Sequence, residues 1–321
     1  MSSALLTVED LSLGLSTSKG IVNLVRDVNL EVYPGEVVGV VGESGSGKTV
    51  TCLSFTRLLD SPPLVYQKGR VLFGGKNIWD LPENGLQKIR ATGIGIIFQE
   101  AGSALNPVVK IGRQISEVLE KHFQLSRREA KAKSIELLRQ VGIPSPEERF
   151  DQYPHQLSGG MQQRVMIAIA LAGAPRLLIA DEPTTALDVT IQVQILEELR
   201  RLNKERQMAM LFINHDLGLI AELCDRVMVM YAGEIVETTD VKTLFRSPRH
   251  PYTRLLLESI PRIDLERGQL KEIPGQVPAP GEFPEGCRFH PRCPYALEDC
   301  RQQRPPLTQA NNSQFRCWNP L

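Results

Sequence analysis

The sequence of 321 residues lacks a charge of either sign in excess: 37 Lys and Arg stand against 37 Asp and Glu. A balance of this kind argues against a protein whose whole surface is built for nucleic acid, though it leaves room for a local basic patch. The N-terminal stretch MSSALLTVEDLSLG lacks a basic region and meets acids early, so it does not read as a secretory signal. Long apolar runs are missing too. The nearest, VMIAIALAGAPRLLIA, is interrupted by Pro175 and Arg176, short of the roughly 20 residues a spanning helix needs. These absences point to a globular chain working in the cytosol. Cysteine is scarce until the end, where four of the six (Cys287, Cys293, Cys300 and Cys317) are gathered. In a reducing compartment such a group reads as metal or redox chemistry before disulfides.

What is present begins with EVVGVVGESGSGKTVTCLSF. The β-branched run at 37–41 predicts a buried parallel strand. It is followed by Gly42, Glu43, Ser44, Gly45, Ser46, Gly47, Lys48 and Thr49, which fit G-x-x-x-x-G-K-[ST], and then by a helical pattern carrying Cys52, Leu53 and Phe55. Glycines allow the backbone to wrap so that its N–H groups face phosphate oxygens. Lys48 is placed to reach the β- and γ-phosphates, and the Thr49 hydroxyl to ligate Mg²⁺. A second strand, residues 177–180, ends in Asp181 and Glu182. At a strand end where open α/β sheets bind ligands, Asp181 can hold Mg²⁺ and Glu182 can take a proton from an attacking water. Between the two lies Ser158-Gly159-Gly160 at the start of an apolar helix, either a second anion site or an N-cap on a core helix.

Taken together, these motifs resemble the ATP-binding-cassette (ABC) family. The resemblance runs over roughly residues 4–240: Walker A at 42–49, Gln99 of IIFQE as the Q-loop residue, LSGGM at 157–161 as the signature, LLIADE at 177–182 as Walker B, ALD at 186–188 as the D-loop, and His215 of FINHD as the switch histidine. It implies an α/β fold of the P-loop NTPase type, with a RecA-like core, a β-rich subdomain and a helical subdomain at about 100–170. It implies ATP and Mg²⁺, with Gln99 helping to ligate the ion, His215 contacting the γ-phosphate, and Glu182 as base. It further implies a second ATPase subunit closing head to tail, so that Ser158, Gly159, Gly160 and Asp188 serve the partner's ATP. Members stack adenine on an aromatic residue upstream of Walker A; the matching position here is Leu15, which has no π-face.

Within the cassette, Ser126 with Glu129 predicts a capping box opening a helix to Gly142, and Ser145-Pro146-Glu147-Glu148 repeats the signal. DRVMVMYAGEIVE reads as two strands around a Gly turn. Beyond residue 240 the composition shifts, and a separate extension over 241–321 is expected. His250-Pro251-Tyr252 resembles the C-terminal extension of oligopeptide- and dipeptide-importer ATPases, with His250 read as structural. The cysteine spacing C-x5-C-x6-C-x16-C suits a tetrahedral Zn²⁺ or an iron–sulfur cluster. The same resemblance favours a [4Fe–4S] cluster on Cys287, Cys293, Cys300 and Cys317, with zinc as the alternative, and the tail as an aid to subunit docking.

The expected function is therefore that of an ATPase subunit of a di- or oligopeptide importer. It would sit at the cytoplasmic face of the membrane with two permease subunits, a second and non-identical ATPase, and a solute-binding protein acting indirectly, with no nucleic acid. A nickel or other small-solute importer is the first alternative. A soluble ABC ATPase of DNA repair or translation is the second, although neither a second cassette nor a coiled-coil insertion is visible.

Overall fold

The computed structural model describes residues 3–18, 20–184, 188–260 and 272–321. The chain divides into two compact units, one built mainly of Tyr33–Glu36 and Asp80–Leu211, the other of Ala4–Val32, Val37–Trp79 and Phe212–Leu321.

The second unit opens with two long strands, β1 (Leu6–Thr17) and β2 (Gly20–Val32), antiparallel from Leu6↔Val32 to Thr17↔Gly20. Along β2, Val28, Leu30 and Val32 are buried while Asn29 and Glu31 are exposed, the period of two that fixes register by burying one face. β3 (Val37–Val41) is buried at every position and leads through the Gly-rich loop into α1 (Lys48–Ser54). β4 (Leu64–Phe73) and β5 (Lys76–Asn77) complete a four-stranded sheet in the order β2-β1-β4-β5.

The chain then enters the helical unit: α2 (Glu83–Lys88), β6 (Ile94–Ile97), α3 (Ala101–Ala104), α4 (Ile111–Phe123), α5 (Arg127–Gln140), α6 (Pro146–Arg149), α7 (Gly159–Ala172), β7 (Leu177–Asp181) and α8 (Val189–Arg206). α4 buries Ile111, Ile115 and Leu119, one stripe at a spacing of four. α5 starts where the capping box predicts: the Ser126 hydroxyl accepts from the Glu129 N–H, and the Glu129 carboxylate accepts from the Ser126 N–H at 2.9 Å. The repeat of that signal at Ser145 behaves differently. Ser145 adopts φ 47°, its side chain caps nothing, and α6 lasts four residues, because the left-handed backbone turns the hydroxyl away from the helix N–H groups. α7 is buried along Val165, Met166, Ile167, Ala168 and Leu171. Its Arg164 guanidinium donates to the carbonyls of Val141 (3.0 Å) and Gly142 (2.8 Å) and to the Gln194 side chain (2.7 Å), so one buried cation joins the end of α5, α7 and α8. β6 and β7 pair in parallel from Ile94↔Leu177 to Ile97↔Ala180.

β8 (Ala209–Ile213) carries the chain back to the second unit, which continues with α9 (Leu217–Leu223), β9 (Arg226–Tyr231), β10 (Glu234–Asp240), α10 (Val241–Arg246), α11 (Pro251–Glu258), α12 (Glu298–Gln302), β11 (Thr308–Ala310) and β12 (Ser313–Phe315). β9 and β10 are the expected hairpin, turning at Ala232 and Gly233, both at positive φ. β3 lies parallel to β9, and β10 takes β12 on its far side, giving the order β11-β12-β10-β9-β3 in this unit.

The cysteine-bearing segment requires a correction. Among the described residues no group of three or more His, Cys, Asp or Glu could hold a metal ion, which overturns the iron–sulfur or zinc site expected on Cys287, Cys293, Cys300 and Cys317. All four are free. Burial pushes the Cys287 thiol up to about 12 and the Cys317 thiol to about 11, and raises Cys293. The Cys300 sulfur takes the Leu297 N–H at 3.4 Å, and its carbonyl takes the Cys287 N–H at 2.8 Å. The segment is held by ordinary means: Phe289 and Phe315 are buried, Arg288 donates to the Ala232 carbonyl, and β12 pairs with β10. Arg304 pairs with Asp27 and with Glu234, the latter at 2.9 Å.

Asp27 is the anion of that cluster, also 2.6 Å from Lys68. Burial pushes its carboxyl up, but the hydrogen bonds and charges of Lys68 and Arg304 outweigh burial and leave it at about 2 instead of 3.8. A lowered carboxylate stabilises the fold above its unfolded value, and the contribution disappears as pH falls through about 2. Asp27→Asn keeps a residue that tolerates the φ of 48° found here. We expect this substitution to cost about 1 kcal/mol in urea unfolding at pH 7, because solvent screens a partly exposed ion pair, with the difference shrinking between pH 4 and pH 2 by roughly that amount.

Candidate functional site

The phosphate loop sits at the C-terminal end of β3, where the parallel pairing of Val41 with Val229 brings it beside the end of β9. A Cβ on Gly42 would lie 2.2 Å from the Met230 carbonyl oxygen, so this position admits no side chain. Gly45 and Gly47 hold φ of 79° and 96°, values that L side chains rarely adopt, and the loop curls back on itself with the Ser46 N–H on the Glu43 carbonyl at 3.2 Å. Lys48 is buried at 7% exposure, its ammonium donating to the carbonyls of Gly42 (2.8 Å) and Glu43 (3.0 Å). The Ser46 hydroxyl is buried and has no hydrogen-bond partner among the described residues. A curled loop of glycines holding an ammonium and an unused hydroxyl fits a polyphosphate. Thr49, in the first turn of α1, is half-buried, and Ser44 is exposed. His215 follows β8 in the same unit and is exposed; its neighbour Asn214 is buried and donates its N–H to the Val40 carbonyl at 3.2 Å, one residue from the end of β3.

In the helical unit, the register of β6 and β7 builds a second group. Ile97 opposes Ala180, and two residues beyond each partner stand Gln99 and Glu182. Side chains that leave two parallel strands at the same level meet: the Gln99 amide donates to the Glu182 carboxylate at 3.2 Å. Glu182 holds φ 44°, uncommon for a residue with a side chain, and half exposes its carboxylate, while Asp181 before it is buried at 3% exposure. The following turn is anchored by Gln163, whose buried amide donates to the Pro183 carbonyl at 2.8 Å. Ser158 caps α7, accepting from the Met161 N–H at 3.3 Å, and is exposed together with Gly159; a Cβ at Gly159 would meet nothing within 4 Å. Asp188 caps α8 through the Ile191 N–H at 3.0 Å. The other two D-loop residues, Ala186 and Leu187, lie outside the described residues. Leu15 is half-buried in β1 opposite Val22 and Leu64, an aliphatic setting.

Two residues of these groups, Gln163 and Arg292, stand in no motif, and Tyr252 stands in the His250-Pro251-Tyr252 triplet with no sign there of its contact with the phosphate loop. Gln163 looks like an ordinary helix position, and only its contact with Pro183 reveals it as the anchor of the acidic turn. Tyr252 and Arg292 both reach Glu43 of the phosphate loop, Tyr252 through its hydroxyl and Arg292 through two nitrogens. The Arg292–Glu43 pair is separated by 249 positions, which no spacing rule could anticipate.

The comparisons agree with this geometry. The family described as "ABC transporter" matches residues 25–185, and "Oligopeptide/dipeptide transporter, C-terminal region" matches residues 236–300. The chain is 47% identical to the oligopeptide transport ATP-binding protein OppD of Bacillus subtilis, over 97% of this chain and 87% of that protein. It is 45% identical to the dipeptide transport ATP-binding protein DppD of Haemophilus influenzae, over 99% and 96% respectively. Among solved structures, a dimeric ATP-binding cassette in a post-hydrolysis state with ADP and Pi superposes with a TM-score of 0.67 at 28% identity, covering 74% of this chain and 98% of that one. With a phosphate loop, an acidic strand end and a signature helix assembled in its two units, and relatives matching along nearly its whole length, the chain belongs to the ABC transporter family of ATP-binding proteins.

Proposed function

We propose that this chain is the ATP-hydrolysing subunit that powers import of di- and oligopeptides through separate membrane proteins. The observation that carries this reading is that the cassette match at 25–185 and the peptide-transporter C-terminal match at 236–300 fall on one chain. No specific observation favours a nickel or small-solute importer, or a soluble ATPase of repair or translation. Among the described residues no helix is long and apolar enough to cross a membrane. In this reading transport runs through two permease subunits, against which the chain works at the cytoplasmic face, fed indirectly by a solute-binding protein. Residues 1–240 form the cassette, with its helical part at about 100–170, and 241–321 an accessory region.

The chemistry follows from the two groups. The loop from Gly42 to Gly47 (with Glu43, Ser44, Gly45 and Ser46 between) wraps the β- and γ-phosphates, and Lys48 leaves its two carbonyls to neutralise them. Mg²⁺ would screen phosphate charge when bound, and the family reading assigns it to Thr49, Gln99 and Asp181, each of which carries a hard oxygen donor. Glu182 accepts a proton from water as the water oxygen bonds to the γ-phosphorus and the bond to the bridging oxygen breaks, giving ADP and phosphate. Gln99 orients that carboxylate. His215 steadies the γ-phosphate, and Leu15 gives adenine an aliphatic contact without stacking. The exposed Ser158 and Gly159 and the half-buried Gly160, with Asp188, serve the ATP of a second, non-identical ATPase subunit.

Two variants test the site. Glu182→Gln is expected to keep ATP binding while slowing hydrolysis at least about 100-fold, the scale of a lost general base; turnover equal to the parent's would defeat the base assignment. Gly42→Ala should lose more than about 1 kcal/mol in urea unfolding and bind ATP weakly, since its Cβ would press on the Met230 carbonyl. For the cargo, cells lacking the chain should lose uptake of labelled dipeptides or tetrapeptides and keep nickel uptake. The reverse pattern would replace the peptide reading.

A further inference from the structure

Glu43 is the second residue of the phosphate loop, and it is grasped from three directions. Its N–H donates to the Tyr252 hydroxyl at 2.8 Å. Its carboxylate receives both terminal nitrogens of Arg292, each at 2.8 Å, the bidentate geometry that fixes a carboxylate in orientation as well as position. Its carbonyl receives the Lys48 ammonium at 3.0 Å and the Ser46 N–H at 3.2 Å. Two of the three grips come from residues 252 and 292, far along the chain from the loop.

Both gripping residues are themselves immobilised. The Arg292 side chain is only 6% exposed. Its Nε donates to the Pro274 carbonyl at 2.7 Å, its Nη2 also reaches the carbonyls of Ile273 and Gly275 at 3.3 Å, and its guanidinium lies 5.7 Å from the Tyr231 ring centre. Tyr252 is fully buried, edge-on to Tyr231 at 4.7 Å and 5.2 Å from Phe289. Its backbone N–H is tied to the His250 imidazole at 3.1 Å, and burial keeps that ring neutral. Tyr231 ends β9, the strand parallel to β3, so the aromatic cluster stands on the same sheet that launches the loop.

A pair of this kind could serve only to fasten residues 272–321 to the sheet. The residue it grips argues for more. Glu43 carries the carbonyl on which Lys48 rests, and Lys48 must leave that carbonyl to reach phosphate oxygens. At that moment the loop loses an internal cation and gains a polyanion, and an unbraced Gly-rich loop would be free to relax. We propose that Arg292 and Tyr252 are positioning residues for nucleotide binding, holding Glu43 so that the phosphate loop keeps its open curl whether Lys48 sits on the carbonyls or on the nucleotide. The proposal rests on the ATPase reading above. Pre-organisation of this sort lowers the cost of binding and leaves the chemical step to Glu182.

The test uses the full-length chain with Mg-ATP, measuring Kd by calorimetry, and KM and kcat by phosphate release. Tyr252→Phe removes one hydroxyl and keeps the ring packing; it should raise Kd and KM about fivefold, the scale of one hydrogen bond. Arg292→Gln should raise both about tenfold or more, with kcat within about twofold of the parent. Arg292→Lys should recover only part, because an ammonium cannot engage both carboxylate oxygens in plane. Glu43→Gln combined with Arg292→Gln should be no worse than Arg292→Gln alone, as expected for two partners in one interaction. Parent-like Kd and KM in Tyr252→Phe and Arg292→Gln would overturn the brace, as would a fall in kcat at unchanged KM. Should Arg292→Gln fail to fold, Tyr252→Phe and Arg292→Lys decide the matter by the same criteria. Lys48→Ala separates this proposal from its foundation: if it binds ATP like the parent, the ATPase reading itself fails. If it loses ATP while the other variants bind normally, only the brace is wrong.

Discussion

Parallel strands cannot turn back on themselves, so each must hand the chain to a loop whose first backbone groups have left the ladder. In this protein both chemical groups are built at such exits. The pairing of Ile97 with Ala180 carries Gln99 and Glu182 out at one level and lets them bond. The pairing of Val41 with Val229 carries Gly42 out against Met230, so closely that only glycine fits. Neither contact needs a special arrangement of side chains beyond register. Once the buried strands have paired, Gly42, Gln99 and Glu182 are placed within two residues of a paired position.

The C-terminal segment shows how residue type can mislead when its setting is unknown. Four cysteines in a Pro-rich tail suggest a fold that lacks a core and borrows a metal to replace it. Here the segment borrows an existing sheet. β12 adds to β10, Phe289 joins Tyr231 and Tyr252, and Arg304 enters the charged group around Asp27 and Glu234. The thiols are part of that packing, and burial holds Cys287, Cys293 and Cys317 in the neutral form. A metal site would need at least three donors converging, and the described residues offer none. The tail instead reaches the phosphate loop of its own chain, where Arg292 pairs with Glu43.

Much of the fold was legible in the sequence because its signals are local. The Gly-rich loop, the capping box at Ser126 and the hairpin at Ala232-Gly233 are each decided by a few neighbouring residues. Ser145 shows the limit of local reading: the same Ser-x-x-Glu pattern that caps α5 is overridden where the backbone takes φ 47°. Gln163 shows another, since a buried amide on an apolar helix acquires its task only from the Pro183 carbonyl it meets.

By itself, then, the order of residues determined which atoms could do chemistry: an ammonium at Lys48 on a glycine loop, carboxylates at 181 and 182 after a buried strand, a capped helix start at Ser158. Those are properties of short segments, where propensity, glycine freedom and capping act within a few bonds. Only the tertiary structure decided which distant groups govern them. Arg292 reaches Glu43 across 249 positions, and Tyr252 across 209, because both pack against Tyr231 at the end of β9, the strand beside the one from which the phosphate loop departs. A hydrogen bond depends on distance in space alone, and nothing in the spacing of a chain encodes it until the strands have paired.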